Sequence, residues 1–454
     1  MIDTSILLRA YQLMSQLKVM AETYEANRSI CKYVHSTSRG HEAIQLATAF
    51  QLQPQDFVSP YYRDESMLQG LGFTPYQQML QLLAKGDDIF SGGREYYSHP
   101  NYLGDDKPVI IHQSSATGMQ AIPTTGIAQG IRYWEKSNPG KLKMGVNGEL
   151  PIVICSMGDA SVTEGEVSEA MQFAVLKQLP IIYLVQDNNW GISVSAGEAR
   201  AMNAYEYVAG FKGMNRVQVN GSDFEASYKV MKDVCDFVRR ERKPFLVHAE
   251  TPLLGHHTSG VRIDFYRTRV DWEKHLKNDP IPKLRNRLLE IGIEENELLQ
   301  IEREAAERIA TDFANAIAAP EPDPAMVEQH VFVTSPVTEE KGERSPADAE
   351  KVLMVDAALY AIRELMEDNP EMILYGQDVG KRLGGVFREA ATLAEQFGDH
   401  RVFNTAIQEA YIVGSTVGLN ALGIKPVVEV QFADYIYPGF NQLVTEISKS
   451  CYLT

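Results

Sequence analysis

Two apolar runs near the middle of the chain enclose one amphipathic stretch. Residues 152–155 are apolar and typical of a buried strand, and a second run of the same kind covers 181–185. Between them, apolar positions recur at helical spacing over residues 167–174. Thr163, with Glu166 three residues later, is the pattern of a capping box, which predicts that the helix begins near Thr163. The pattern therefore predicts a strand, a helix and a second strand, the repeating unit of a parallel α/β sheet.

The remaining patterns predict a second α/β region after a linker. Residues 319–348 are rich in proline and charge, a composition typical of a flexible linker. New helix and strand patterns begin near Ala349. We therefore predict a first domain at residues 1–330, a linker at 331–348 and a second domain at 349–454. The charged helical stretch 272–318 is interpreted as a solvated helical arm of the first domain.

Composition excludes several classes of protein. The chain has 454 residues and a net charge of -17, which argues against sequence-independent binding to nucleic acids or anionic membranes. Its four cysteines are widely spaced and form no CxxC pair, a pattern that favours a reducing compartment. No apolar run reaches the roughly 18 residues of a membrane helix, and the N-terminus lacks a signal-peptide pattern. We therefore expect a cytoplasmic enzyme.

Oxygen ligands for a cation follow both central strands. Asp159 comes after the first strand and Asn189 after the second. Because the carboxyl ends of parallel strands meet at one sheet edge, these two side chains can converge. Together with the backbone carbonyl of Gly191 they would give three oxygen ligands for Mg²⁺, which commonly completes its shell with phosphate oxygens and water. The alternative is that an Asp and an Asn end these strands without binding any ion.

Two other stretches carry candidate chemistry. Tyr62-Arg63 follows a short strand, and an arginine there can form paired hydrogen bonds with phosphate oxygens; the alternative is a surface ion pair with Asp64 or Glu65. His256-His257 lies in a loop of Gly and Ser, which suits proton transfer or anion binding. A zinc site is disfavoured because adjacent histidines lack the spacing of a helical metal pair, and solvated loop histidines are the other alternative.

The central unit resembles a known cofactor signature. Gly158-Asp159-Ala160, then 27 residues, then Asn188-Asn189 is similar to the thiamine diphosphate motif, which usually reads GDG, a gap in the high twenties, and NN. Ala160 replaces the usual third Gly. Together with the other stretches, in the same order, the chain resembles the first, decarboxylating component of the 2-oxo acid dehydrogenase complexes. Residues 1–330 resemble its alpha subunit, and residues 349–454 resemble the first part of its beta subunit.

The resemblance implies a fold, cofactors and site residues. The fold would be α/β, with two doubly wound parallel-sheet domains of the thiamine diphosphate-binding type, one for the diphosphate and one for the pyrimidine. The cofactors would be thiamine diphosphate and magnesium. Metal ligands would be Asp159, Asn189 and Gly191, and catalytic residues would be His257 and Glu409, with Glu409 facing the pyrimidine ring. Cofactor contacts would be Tyr62, Arg63, Gly118, Gly158, Asp159, Ala160, Asn189, His257, Glu409, Gln431 and Tyr435.

The resemblance also implies an activity and partners. We expect oxidative decarboxylation of a branched-chain 2-oxo acid, such as 3-methyl-2-oxobutanoate, with transfer of the acyl group to the lipoyl group of a partner acyltransferase. The His256-His257 pair is closer to the branched-chain enzymes than to the pyruvate enzymes, which are the nearest alternative. Transketolase-like carbon transfer and a non-catalytic cofactor-binding fragment are further alternatives. Because the diphosphate and pyrimidine domains come from different subunits in the family, we expect a dimer or larger assembly. Because the beta-like part is shorter than in the family, pairing with a missing C-terminal part is also expected.

Overall fold

The computed structural model describes residues 2–111, 114–334, 339, 342–344 and 346–453. Helices α1 to α17 are, in chain order, Thr4–Ala26, Glu42–Ala49, Glu65–Gly70, Pro75–Leu82, Ala121–Ser137, Gly165–Lys177, Ala196–Ala199, Ala204–Tyr207, Phe224–Glu241, Arg269–Leu276, Pro280–Glu290, Glu295–Ala318, Met354–Asp368, Leu393–Phe397, Glu409–Asn420, Ile436–Gln442 and Ser448–Leu453. Strands β1 to β10 are Phe57–Ser59, Val153–Gly158, Ile181–Asp187, Trp190–Gly191, Val194–Ser195, Asn215–Asn220, Phe245–Glu250, Met372–Gly376, Val402–Asn404 and Lys425–Glu429.

The larger sheet has five parallel strands in the order β1-β2-β3-β7-β6. Its central strands β2 and β3 are continuous apolar runs because helices cover both faces of the sheet. Alternate residues serve different cores: Val153 and Cys155 pack in a cluster with α5 and α6, whereas Ile152 and Ile154 pack in a cluster with α2 and α9. Such helix layers on both faces define a doubly wound α/β fold.

The smaller sheet has three parallel strands in the order β10-β8-β9. One face packs on α13 and α14, and Ile373 and Tyr375 on the other face join the core that contains α5 and α6. The two sheets are therefore linked through helix α15, which packs closely on α5. A Cβ atom added at Gly418 of α15 would lie 2.0 Å from the carbonyl oxygen of Pro123 of α5, so only glycine permits this approach. The predicted α/β fold class is confirmed.

Three details differ from the sequence interpretation. Helix α6 begins at Gly165 rather than near Thr163, because residues Asp159–Thr163 form a 3₁₀ turn and Glu164 caps the helix. The stretch 272–318 is not simply a solvated arm, since α11 and α12 bury one face against α1. Strand β6 and helix α9 have no counterpart in the sequence interpretation. Helix α9 nevertheless has a clear apolar stripe that faces the core.

Several expectations concern the chain outside these elements. The predicted linker at 331–348 falls partly on residues 335–338, 340, 341 and 345, which lie outside the described residues. Its described residues are exposed and contain no helix or strand. The domain limits at 330 and 349 remain predictions. Within the described residues, no helix is long and apolar enough to cross a membrane.

Candidate functional site

The ends of β2 and β3 bring the predicted metal ligands together. These strands are parallel neighbours, with Gly158 opposite Gln186, so the residues that follow them lie at one edge of the sheet. Both Asp159 and Asn189 contact a single side chain, Arg200: its Nη1 donates to Asp159 Oδ2 at 2.9 Å, and its Nη2 lies 3.5 Å from Asn189 Oδ1. The sequence did not indicate Arg200. The two oxygens thus face a common cation in this structure.

The third predicted ligand is close by. Gly191 lies in β4, which pairs with β5 in a short antiparallel bridge. A Cβ atom added at Gly191 would be 3.2 Å from the Cβ of Ala160, so this backbone passes directly over the 3₁₀ turn that contains Asp159. Asn189 itself has a positive φ of 65°, a conformation that asparagine tolerates better than most residues. The turn of chain after β3 therefore returns to the tip of β2.

The charge balance at this edge favours a cation. Asp187 accepts hydrogen bonds from Arg200 Nη2 at 2.6 Å and from His248 Nε2 at 2.8 Å. Burial raises the pKa of Asp159, the neighbouring Asp187 carboxylate raises it further, and Arg200 opposes both effects. Burial also acts to raise the pKa of Asp187, but the hydrogen bonds from His248 and Arg200 outweigh it and hold that pKa low. Two buried carboxylates that share one arginine are suited to a divalent ion.

An anion-binding cluster adjoins this edge. Arg63 is fully buried, and its hydrogen bonds within the described residues go to the carbonyl oxygens of His257 at 3.2 Å and Thr37 at 3.4 Å. Its Nε has no partner there. The alternative of a surface ion pair does not hold, because Arg63 is buried, lies over the Tyr62 ring and forms no ion pair within the described residues. The site therefore has the chemistry to hold a phosphate group, for which arginine is well suited.

His257 connects the anion cluster to the metal edge. Its Nδ1 accepts a hydrogen bond from the backbone N–H of Ile192 at 3.2 Å, so the proton of the neutral ring lies on Nε2 and points to the Tyr62 hydroxyl at 3.2 Å. Burial, together with the positive charge of Arg63, lowers the pKa of His257 to about 3. The ring is therefore neutral at physiological pH. His256 points away and accepts from the backbone N–H of Ile263.

A buried polar network supports the site from below. Gln186 of β3 accepts from His41 Nδ1 at 2.8 Å and donates to Asp64 Oδ1 at 2.7 Å and to Ser156 Oγ at 2.9 Å. Burial, with a smaller effect from Arg63, lowers the pKa of His41 to about 3, and burial raises the pKa of Asp64 to about 6. A network of this kind fixes the residues next to Arg63. Sequence reasoning missed it, because its members are distant in the chain and follow no motif.

The loop 114–120 lies between the metal edge and the second sheet. Gly118 has a φ of 93°, and an added Cβ would lie 3.0 Å from the Cβ of Glu164 and 3.2 Å from the Ser161 carbonyl oxygen. Glycine is therefore required by both conformation and space. Gly158 is packed less tightly: an added Cβ would be 3.6 Å from the Tyr61 ring. Within the described residues, the buried Tyr61 hydroxyl and Ser161 Oγ have no hydrogen-bond partner, as expected where a polar ligand is to bind.

The predicted pyrimidine contacts lie next to the smaller sheet. Glu409, half-buried at the start of α15, accepts a hydrogen bond from Gln377 Nε2 at 2.8 Å. Gln431 Nε2 lies 3.4 Å from the Gln377 carbonyl oxygen and donates to Asp378 Oδ2 at 2.7 Å. The structure thus brings Glu409 and Gln431 together through Gln377. It does not join Tyr435 to them: that ring is exposed and packs on Phe432 at 5.1 Å.

Contacts between the two sheets converge on the loop 114–120. Gln442, the last residue of α16, donates to the Met119 carbonyl oxygen at 3.2 Å and to the Glu166 carboxylate. Glu446 accepts from the backbone N–H of Ser114 at 3.3 Å. Close to Glu409, Glu169 of α6 accepts from the Tyr411 backbone N–H, and burial raises its pKa to about 7. One chain therefore brings both predicted halves of the site into contact.

Comparison with known proteins identifies the family. Residues 12–325 match the family model described as "Dehydrogenase E1 component", and residues 350–451 match "Transketolase, pyrimidine binding domain". The chain belongs to the dehydrogenase E1 component family. Members of this family are thiamine diphosphate-dependent 2-oxo acid dehydrogenases, so the predicted enzyme class and the predicted cofactors, thiamine diphosphate and magnesium, are confirmed.

Individual relatives include both branched-chain and pyruvate enzymes. The chain is 30% identical over 264 residues to the 2-oxoisovalerate dehydrogenase subunit alpha of Bacillus subtilis, a match covering 58% of this chain and 75% of that protein. It is 26% identical over 301 residues to the pyruvate dehydrogenase E1 component subunit alpha of Mycoplasma genitalium, covering 65% and 77%. Its second part is 42% identical over 99 residues to the 2-oxoisovalerate dehydrogenase subunit beta of Pseudomonas aeruginosa, covering 22% and 28%. The predicted likeness to fused alpha and beta parts is confirmed.

Proposed function

We propose that this E1-family chain catalyses the oxidative decarboxylation of a branched-chain 2-oxo acid, such as 3-methyl-2-oxobutanoate, and transfers the acyl group to the lipoyl group of a partner acyltransferase. The best support is the presence of two neighbouring groups of opposite character. Asp159 and Asn189 supply oxygen ligands, and the buried Arg63 has a positive charge without an ion-pair partner within the described residues. One cluster binds cations and the other binds anions, which matches a magnesium diphosphate. The family provides the enzyme class, and the names of two relatives favour the branched-chain substrate.

The proposed roles follow from the chemistry of each group. Asp159, Asn189 and the Gly191 carbonyl would hold Mg²⁺, and Tyr62, Arg63 and the neutral His257 would bind the diphosphate. When bound, thiamine diphosphate supplies the electron sink for loss of carbon dioxide. Gly118, Gly158 and Ala160 leave room for close approach of the backbone. Glu409 would hold a proton at the pyrimidine ring, and Gln431 would line the same pocket.

The organisation of the chain is part of the proposal. Residues 1–330 would form the diphosphate-binding domain and residues 349–454 the pyrimidine-binding domain, joined by the linker 331–348. Among the described residues β10 has a strand partner on one side only, and Phe432, Tyr435 and Phe440 near it are exposed. An unpaired strand edge with exposed aromatic rings supports association with another chain, either a second copy or a further beta-like segment.

The cofactor part of the proposal is tested by calorimetry. Thiamine diphosphate is titrated into the chain with and without Mg²⁺, and we expect tight binding only with Mg²⁺. Asp159→Ala should abolish this Mg²⁺-dependent binding. Asp105→Ala, at an exposed carboxylate that pairs with Lys143, is the matched control and should bind as the unaltered chain does. Tight binding to Asp159→Ala would contradict the cation site.

The substrate is tested by an assay with an artificial electron acceptor. Turnover of 2-oxoisovalerate should exceed that of pyruvate at equal concentration; the reverse order would identify a pyruvate enzyme. Cofactor binding without turnover of either acid, also after addition of a supplied beta-like C-terminal fragment, would indicate a non-catalytic chain. Turnover of sugar phosphates in place of 2-oxo acids would indicate a transketolase-like reaction. The transfer step is tested by incubating the chain with substrate and a lipoyl domain, and by measuring with mass spectrometry whether the lipoyl group gains an acyl group.

A further inference from the structure

A small cavity lies between the larger and the smaller sheet, and the predicted cofactor residues do not line it. It has a volume of 140 Å³, and its walls come from α5, α6, β8 and the β9 region. Among its lining residues, Tyr133 lies about 20 Å along α5 from the loop 114–120, at 1.5 Å per residue. The cavity is therefore separate from the predicted cofactor site, although the same helix borders both.

The walls of this cavity are aromatic. Phe403 forms one of them, above the fully buried Phe173, and Tyr133 faces His400 with their ring centroids 6.4 Å apart and their planes inclined by 18°. Phe173 is held in place by stacking on Tyr411 at 4.0 Å. A cavity of about 150 Å³ accommodates a benzene ring in other proteins, so a volume of 140 Å³ fits one six-membered ring.

The rim of the cavity carries positive charge. The ammonium of Lys177 lies 5.0 Å from the ring centroid of Phe403 and 5.6 Å from that of Phe173, and it has no carboxylate partner within the described residues. Lys136 is likewise unpaired there. Arg132 pairs with Glu135 at 2.8 Å, but Glu135 also pairs with Arg242, and the buried Nε of Arg132 has no partner among the described residues. The acidic group on this rim is Asp399, which is exposed.

Burial of Lys177 adds to this charge imbalance. Loss of solvent lowers the pKa of its ammonium, and the positive charge of Lys136 lowers it further. Bringing an anion into the cavity would offset both effects, because it would give Lys177 and Lys136 a common counter-ion. A neutral or cationic ligand would gain no such stabilisation.

We propose that this cavity binds a small aromatic carboxylate, with its ring against Phe403 and Tyr133 and its carboxylate at Lys177, Lys136 and Arg132. The volume fits a single ring, and charge complementarity favours an anion. Because α5, α6 and β9 all contribute, the ligand contacts both sheet regions at once. It would strengthen the packing of the second region on the first.

The experiment uses benzoate as the probe and the full chain as it exists. Calorimetric titration should show that benzoate binds at least about tenfold more tightly than benzamide, which lacks the charge, and than acetate, which lacks the ring. Saturating thiamine diphosphate and Mg²⁺ should not displace benzoate or weaken its binding, since the two sites share no residue. Equal affinity for benzoate and benzamide, or for benzoate and acetate, would overturn the proposal.

Two substitutions locate the binding. Lys177→Gln should weaken benzoate about tenfold through loss of the carboxylate's partner, and Phe403→Leu should weaken it by removing one aromatic wall. Lys141→Gln is the matched control, because Lys141 also lies over an aromatic ring, Trp134, but outside the cavity. If Arg63→Met abolished benzoate binding and Lys177→Gln did not, the acid would bind at the diphosphate cluster and the proposal would be wrong.

Discussion

The guanidinium of Arg200 and the carboxylate of Asp159 form a nearly buried ion pair, with Nη1 and Oδ2 separated by 2.9 Å and side chains 11% and 5% exposed. The same guanidinium also reaches Asn189. Arg200 therefore neutralises the group of oxygens that we propose as magnesium ligands. Because two cations cannot share this space without repulsion, Arg200 must move or lose these contacts when a metal binds.

Substitution of Arg200 tests this competition. We expect Arg200→Gln to raise the affinity for Mg²⁺, at saturating thiamine diphosphate, by about tenfold, because a competing cation is removed. Fluorescence of Trp190, which is adjacent to Asn189, reports the binding once Trp134 and Trp272 are replaced by Phe. Arg240→Gln, at an exposed arginine paired with Glu241, is the control. A loss of Mg²⁺ affinity in Arg200→Gln would instead assign Arg200 a supporting role in the metal site.

The position of Asp159 and Asn189 could be predicted, whereas that of Arg200 could not. Apolar runs fix the central strands, and parallel strands place their carboxyl ends at one edge whatever the rest of the chain does. Arg200 follows the short β5 and α7 in a stretch without apolar periodicity, so its contact with Asp159 depends on how that loop folds. Two aspartates at the ends of neighbouring strands, Asp159 and Asp187, do indicate from the sequence that a basic side chain or a cation must balance their charge.

The same limit applies to other parts of the chain. The apolar stripe of α9, residues 224–241, recurs at helical spacing and is readable from the sequence alone. The network around Gln186 differs, because burial of polar groups such as His41 is set by tertiary packing and leaves no local pattern. The half-buried position of Glu409 depends likewise on how α15 packs.

Arg63 should contribute to binding rather than to stability. Because its buried guanidinium donates hydrogen bonds only to carbonyl groups and forms no ion pair within the described residues, we expect Arg63→Met to change the free energy of unfolding of the cofactor-free chain by less than about 1 kcal/mol. The His257 carbonyl keeps a hydrogen bond from Ser36 Oγ. Affinity for thiamine diphosphate should fall at least about 100-fold, since the loss of a buried partner for phosphate costs several kcal/mol. Denaturant unfolding and calorimetry measure the two effects.

Arg239→Met provides the matched comparison. Arg239 is also largely buried, but it pairs with the fully buried carboxylate of Asp56. Its loss leaves that carboxylate unpaired and should cost about 3–5 kcal/mol of unfolding free energy. If Arg63→Met were as destabilising as Arg239→Met, Arg63 would be a structural residue.

His257 should remain neutral across the physiological range. Its pKa is lowered to about 3 in the folded chain, against about 6.5 for an unperturbed histidine in the unfolded chain. Between these values the unfolded chain binds the extra proton, so the contribution of His257 to stability is complete above pH 6.5 and is lost as the pH falls towards 3. The difference in unfolding free energy between the unaltered chain and His257→Gln should therefore shrink between pH 7 and pH 5.

Nuclear magnetic resonance gives an independent check of the histidine. The ring signal of His257, assigned by its absence from His257→Gln, should not titrate between pH 5 and pH 8. A midpoint near 6.5 would contradict the buried, neutral ring.

The contact between α5 and α15 should control both stability and cofactor binding. Gly418→Ala places a methyl group 2.0 Å from the Pro123 carbonyl oxygen, so the helices must separate. Overpacking of this kind costs about 1–3 kcal/mol, and we expect a lower melting temperature together with weaker thiamine diphosphate binding. Gly210→Ala is the control, because an added Cβ there meets no atom within 4 Å. Lower stability with unchanged affinity for thiamine diphosphate would contradict the expectation that this helix pair supports the cofactor site. A loss of both stability and affinity would support a cofactor site built from both sheet regions of one chain.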